Sequence, residues 1–404
     1  MSSNSRAVRS ALVIGGGISG PVVAAALHKA GIEARVFEAY PGPAYGIGSN
    51  LALAPNGLAA LEIIGAADAV RAIAAPIRSQ SMAVNGKIIK LPGISGVEPL
   101  QLVDRPDLHA ALHDIAVAAG VSFEYNRRLV EVEEHADGIT AHFADGSSAT
   151  GDVLIGADGI RSTVRTLIDP KAPGPQYLNM LGFGAYTRCP VDLEPSDMTF
   201  AFGKRAYYLY WVMPDGRVAW GANLPHPQYL SLSEARTVSN EEWLRILRET
   251  YADDTPGSAL AQATQAADLQ VVGALHIMPP VPHWYRGRMV LTGDAVHAPS
   301  NTSGQGGSMA IESAIELARC LRDIEDPATA FATYEALRRP RVEGVANRVK
   351  RMNHTKAAGP ITRAFMGAIM PMMFKRMDPE KTFGPEQHFR IDWDAPVRAV
   401  PVRA

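Results

Sequence analysis

The chain has 404 residues, 47% hydrophobic and 20% charged, with a net charge of −2 at pH 7. This length suits two domains with large cores, and the near-neutral balance removes the broad electrostatic case for nucleic acid or an anionic membrane as partner. Cys189 and Cys320 are too few and too far apart for a disulfide scaffold or a thiolate metal site, so no metal is expected and a reducing cytoplasm fits.

The opening MSSNSRAVRS leads into an apolar run without a cleavage-like small-residue site, so no signal peptide is expected. In ALVIGGGISGPVVAAALHKAGIEARVFE, residues 12–14 are a short apolar run stopped by glycine. Residues 21–30 are helical in composition and close on Gly31, and residues 34–37 form a second apolar run, which predicts strand, turn, helix, strand. Gly15, Gly17 and Gly20 spell G-x-G-x-x-G, with Ser19 inside the motif. The first glycine permits the tight turn, the second lets a pyrophosphate approach the backbone, and the third lets helix and strand pack closely. The helix N-terminus offers free N–H groups and partial positive charge to phosphate, and Pro21 suits a first turn. Glu38 follows about 20 residues later, where a carboxylate accepts hydrogen bonds from ribose hydroxyls and favours a free 2′-hydroxyl. The motif alone does not separate FAD from NAD.

Asn85-Gly86 marks a hairpin, and Asp104-Arg-Pro-Asp-Leu-His a helix start, with Asp104 as N-cap, Pro106 in the first turn and Gly120 at the end. Residues 121–125, 128–135, 139–143 and 152–156 read as strands of a meander, broken by Asp137-Gly138 and Asp145-Gly146. Residues 177–224 carry Phe200, Phe202, Tyr207, Tyr208, Tyr210, Trp211 and Trp220 among strand signals, predicting a second, mainly β domain. From Pro327 the chain turns helical and basic.

Two further segments pair an apolar strand with a glycine-acid turn. GDVLIGADGIRSTVR ends its strand on Asp158-Gly159, and RMVLTGDAVHAPSNTSGQGGSMAIESAIELA ends its strand on Gly293-Asp294 before a loop and helix. Together with Gly15–Gly20 and Arg105, these segments resemble the motif set of the FAD-dependent aromatic-ring hydroxylases, single-component flavoprotein monooxygenases built like p-hydroxybenzoate hydroxylase. The resemblance spans about residues 8–350 in motif order and spacing.

It implies an α/β fold: a discontinuous Rossmann-like FAD-binding domain (1–75, 100–170 and 281–325), an inserted mainly β substrate domain (76–99 and 171–280), and a C-terminal helical segment with a tail (326–404). It further implies non-covalent FAD, with NAD(P)H and O2 as co-substrates. A single G-x-G-x-x-G is present, since Gly46-Ile-Gly48 and Gly182-Phe-Gly184 lack the third glycine. NAD(P)H is therefore expected to bind transiently, and oxygen to pass through a flavin C4a-hydroperoxide to an aromatic or polycyclic lipophilic small molecule, a natural product or antibiotic among the candidates. Because the cofactor carries the reaction, no Ser-His-Asp or paired-carboxylate constellation is required.

By the same resemblance Asp294 accepts hydrogen bonds from the ribityl chain, while Pro299, Gly304, Gly306 and Gly307 bring a helix N-terminus to the N1 and C2 edge of the flavin, stabilising its reduced form. Asp158 is implied near the pyrophosphate and nicotinamide docking, Arg105 at the flavin nucleotide, and the Leu129 backbone at the adenine. Glu38 is followed by Ala39 where many relatives carry arginine, so pyrophosphate neutralisation falls to backbone or Arg105. His297, three residues after Asp294, and Tyr208 and Tyr210, sharing one strand face, are the catalytic candidates; Arg188, Asn223 and His226 follow unranked. The stretch ITRAFMGAIMPMMFKRM, broken by Pro371, is too short to span a bilayer and is expected to cover the FAD domain or pocket, with peripheral membrane contact the alternative. A cytoplasmic monomer or homodimer is expected. An FAD-dependent reductase or other oxidoreductase of the same superfamily, and a non-catalytic nucleotide-binding module, are the competing readings; the Trp-x-Trp-x-Ile-Pro stretch of flavin halogenases is absent.

Overall fold

A computed structural model describes residues 7–43, 50–84, 87–300, 304–356 and 378–400. The Asn85-Gly86 turn, the Gly46-Ile-Gly48 pair and the stretch 361–377 lie outside the described residues.

Strand Ser10–Ile14 sits inside a six-stranded sheet, flanked in parallel by Val153–Gly156 and Glu33–Phe37. Met289–Leu291 and Ser122–Glu124 extend the parallel sheet, and Tyr285–Arg286 adds an antiparallel edge. The central strands are apolar and buried from Ala11 to Ile14, Val153 to Ile155 and Met289 to Leu291, because both faces of a parallel sheet are covered. Helix Gly306–Asp323 packs on helices Ser19–Lys29, Pro55–Ile63 and Pro327–Lys356, gathering distant parts of the chain around one core.

The strands between residues 121 and 156 do not form one meander. Ser122–Glu124 and Val153–Gly156 join the parallel sheet, whereas Leu129–Glu134, Ile139–Phe143 and an additional strand, Ser148–Gly151, form the antiparallel ribbon. Turn signals mark where strands end but not which distant partner they meet. Asp104 does occupy the N-cap of helix Arg105–Ala118, with Pro106 in the first turn, but it makes no side-chain cap. Its carboxylate instead accepts a hydrogen bond from the Tyr186 hydroxyl at 2.6 Å.

The second large sheet has seven strands in the order Gln270–Ile277, Gln176–Thr187, Val218–Pro225, Tyr207–Val212, Asp197–Phe202, Ser79–Val84 and Lys87–Leu91. Helices Leu232–Thr237, Asn240–Thr250 and Gly257–Ala263 accompany it, and Trp243, Leu247, Tyr251 and Leu260 share a core with Tyr208, Tyr210 and Trp220. A small sheet of Asn50–Leu53, Leu100–Asp104 and Ala75–Ile77 contributes to a third cluster, in which Ile77 and Leu102 join Met198 and Trp211.

Candidate cofactor and substrate site

Ile14, Gly156 and Leu291 stand in register across three neighbouring parallel strands, so the turns that follow them leave the sheet at one edge. Backbone bonds tie these ends together: Ala157 N–H donates to the Ile14 carbonyl (2.8 Å), and Thr292 N–H to the Gly156 carbonyl (2.9 Å). This carboxyl edge of an open α/β sheet is where ligands bind.

Close packing explains the glycines. Gly15 has φ +103°, and a Cβ there would lie 2.5 Å from the Ala157 carbonyl oxygen; one on Gly20 would lie 2.0 Å from the Gly15 carbonyl oxygen. Gly293, at φ +60°, presses on Ser19, with its hypothetical Cβ 2.1 Å from the Ser19 Oγ. Gly17 is different, since a Cβ there would meet nothing within 4 Å. That open space is what a pyrophosphate approaching the backbone requires.

A cavity of about 1170 Å³ opens at this edge, lined by Gly17, Ser19, Arg105, Asp294, Pro299 and the glycines Gly304, Gly306 and Gly307. Helix Gly306–Asp323 begins there with neither a side-chain cap nor an acidic residue in its first turn, which leaves its positive end unneutralised. The Asp294 carboxylate makes no hydrogen bond to a described residue. Burial pushes its pKa up, opposed by the Arg105 charge. An open glycine backbone, an uncapped helix end and a carboxylate acceptor in one cavity fit a flavin dinucleotide.

The other expected cofactor residues lie behind this lining. Gly15 and Gly20 shape the turn, and Glu38 accepts hydrogen bonds from the N–H groups of Gly16 (2.7 Å) and Tyr40 (3.0 Å). Leu129 places its side chain in the core at 5% exposure. Asp158 accepts from Ser162 Oγ and from the N–H groups of Thr163 (2.7 Å) and Val164 (3.1 Å), so its carboxylate serves the start of helix Thr163–Ile168.

The catalytic candidates require correction. Tyr208 and Tyr210 do share a face, but it is the face packed in the second core, where Tyr208 stands edge-on to Tyr251 at 5.0 Å. The residues of that strand that line the cavity are Tyr207, Leu209 and Trp211. His297 is buried away from the large cavity, its Nε2 2.8 Å from Ser313 Oγ and its ring beside Trp284. Burial and then the Arg338 charge push its pKa down to about 3, so the ring stays neutral. Of the unranked residues, Asn223 lines the cavity whereas Arg188 and His226 do not. Phe383 and Gln387, brought in by the C-terminal segment, also line it, and no sequence signal pointed to them.

A mainly parallel sheet with a glycine turn at its carboxyl edge, faced across a cavity by an aromatic, mainly antiparallel sheet, defines a dinucleotide-cofactor enzyme. The chain belongs to the FAD binding domain family, whose profile it matches over residues 9–349. The FAD-dependent urate hydroxylase of Klebsiella pneumoniae is 30% identical over 354 residues, covering 84% of this chain and 88% of the relative. The 3-amino-4-hydroxybenzoate 2-monooxygenase PtnB3 of Streptomyces platensis is 33% identical over 356 residues, covering 85% and 87%. The crystal structure of Klebsiella pneumoniae HpxO complexed with FAD and uric acid matches with a TM-score of 0.80 at 26% identity, over 94% of this chain and 96% of that one. The chain thus belongs to the FAD-dependent aromatic hydroxylase family, with a Rossmann-like cofactor part and a second, substrate part. Among the described residues no helix is long and apolar enough to cross a membrane.

Proposed function

We propose that the protein uses NAD(P)H and O2 to insert one oxygen atom into a flat aromatic or heteroaromatic small molecule, lipophilic natural products included. The reaction converts substrate C–H, O2, NAD(P)H and a proton into C–OH, water and NAD(P)+. One observation carries this reading: the turn at Gly17 and the turn at Asp294, far apart in sequence, line a single cavity whose opposite wall is aromatic. FAD, when bound, accepts the reducing electrons of NAD(P)H and activates O2.

The chain's own residues bind, orient and exclude water. Gly17, Ser19 and the N-terminus of helix Ser19–Lys29 would hold the pyrophosphate, Glu38 the adenosine ribose, and Asp294 the ribityl hydroxyls. The N-terminus of helix Gly306–Asp323 would favour electron-rich flavin, because partial positive charge opposes the developing negative charge. Phe200, Tyr207, Leu209 and Trp211 give the substrate an apolar wall with few polar handles, which supports a planar ligand and a site kept dry. In this reading residues 76–99 and 171–280 form the substrate-binding part, and the parallel-sheet part holds the cofactor.

The test begins with flavin released on denaturation and identified as FAD. Candidate aromatics are then screened for acceleration of NAD(P)H oxidation, and active ones are turned over under ¹⁸O2. One ¹⁸O atom in the product is expected. Turnover that yields unlabelled product would replace the monooxygenase reading with a reductase.

A further inference from the structure

Asn223 lies on strand Val218–Pro225, inside the seven-stranded sheet. Its cross-strand partners are Gly182 and Tyr207, and Gly182 in turn faces Gly273. Gly221, two residues earlier on the same face, pairs with Gly184 and Leu209. Asn223, Gly182, Gly184 and Gly221 all line the cavity. The carboxamide therefore borders the cavity beside positions that carry no side chains of their own, with Leu275 and Val272 leaning over Gly182.

The amide is only 6% exposed, and its Nδ2 is buried without a hydrogen-bond partner among the described residues. A buried donor left unpaired weakens a folded protein, and sheet positions of this kind favour β-branched or aromatic residues that would bury apolar surface at no such cost. Nearby parts of the wall are apolar, with Leu209, Phe183 and Leu275 among the lining residues. Among the described residues nothing accepts from the Asn223 Nδ2, so its use is to be sought in what enters the cavity.

We propose that Asn223 is a substrate-positioning residue: its Nδ2 donates a hydrogen bond to an acceptor on a planar substrate, a carbonyl or phenolate oxygen or a pyridine-type ring nitrogen. This inference rests on the monooxygenase reading above and adds one requirement to it, an acceptor atom on the ring system that lies against the seven-stranded sheet. Preference for such a ring over a plain hydrocarbon of equal shape follows, because only the former satisfies the donor.

The test uses the FAD-loaded protein, with 4-quinolone, quinoline and 4-hydroxybenzoate as acceptor-bearing probes and naphthalene as the apolar control. Binding is read from the visible absorbance of the bound flavin, alongside Tm. At least one acceptor-bearing probe is expected to bind, and Asn223→Leu to weaken it tenfold or more while leaving naphthalene unchanged. The same variant should melt at or above the wild-type temperature, since it removes an unpaired donor. Asn223→Ser, which keeps a donor on a smaller side chain, should lose less affinity. The inference is overturned if Asn223→Leu and Asn223→Ser both lower Tm by several degrees, which makes the amide structural. It is also overturned if acceptor-bearing and apolar probes weaken alike, or if no acceptor-bearing probe binds. Failure of the monooxygenase reading is distinguishable, because it appears in the wild-type protein as missing FAD or unlabelled product.

Discussion

Two glycines of the first turn should respond in opposite ways to the same added methyl group. In Gly20→Ala the new Cβ would sit 2.0 Å from the Gly15 carbonyl oxygen, a backbone atom anchored by its own turn. Overpacking of this kind costs about 1–3 kcal/mol or more, and the helix-propensity gain of alanine over glycine, about 1 kcal/mol, offsets only part of it. In Gly17→Ala the methyl group would meet nothing within 4 Å, so the flavin-free protein should keep its stability to about 0.5 kcal/mol. That methyl group would, however, occupy the space through which a pyrophosphate reaches the backbone. A loss of about 1.4 kcal/mol in binding is a tenfold rise in Kd, and at least this much is expected for FAD. Thermal denaturation of the apoprotein and titration with FAD by flavin fluorescence separate the two effects. Gly20→Ala should lower Tm without ligand, and Gly17→Ala should lose FAD affinity at wild-type Tm. A folded Gly17→Ala variant that binds FAD as tightly as wild type would refute the placement of the pyrophosphate over this turn.

Three further substitutions probe the frame behind the cavity. Glu312 is fully buried against Arg338 (2.7 Å) and Arg341 (2.8 Å). Burial opposes its ionisation, but the two guanidinium groups outweigh that and hold its carboxyl below the ordinary range. Glu312→Leu leaves two cations facing each other and should cost about 3–5 kcal/mol, read as a lower urea midpoint. Gly57→Ala would bring a methyl group within 2.6 Å of Ser308 Oγ and 2.9 Å of Leu53 Cδ1, forcing helix Pro55–Ile63 away from helix Gly306–Asp323; a loss of about 1–3 kcal/mol is expected in the same assay. For His297 the folded pKa of about 3 lies below the ordinary 6.5, so the unfolded chain binds more protons between those values and stability rises with pH there. Acidification below 6.5 should remove about 1.4 kcal/mol per pH unit through this ring, and His297→Gln should flatten the pH dependence of the urea midpoint between pH 6 and 4.5.

How far the sequence could be read depended on whether the deciding contacts were local. The first strand, the glycine turn and the helix after it are specified by neighbours in the chain, and they lie at Ser10–Ile14 and Ser19–Lys29. The phase of strand Tyr207–Val212 was not legible, because YYLYWV is apolar at every position and no polar residue marks the outer face. Only the packing of Trp243 and Tyr251 against one side decides that Tyr208 points to the core. His297 follows Asp294 by a single helical turn, yet its surroundings, Ser313, Trp284 and Arg338, come from three other parts of the chain. Ser162 is the N-cap of helix Thr163–Ile168, and the Asp158 carboxylate supplements it by accepting from the N–H groups of Thr163 and Val164.

The contact of Gly293 with Ser19 locks the first and third glycine turns to each other before any ligand arrives. Neither turn can retreat from its neighbour without breaking the backbone bonds that join Ile14, Gly156 and Thr292. Loading the cofactor should therefore require little ordering of these two turns, so more of the gross interaction energy survives as affinity.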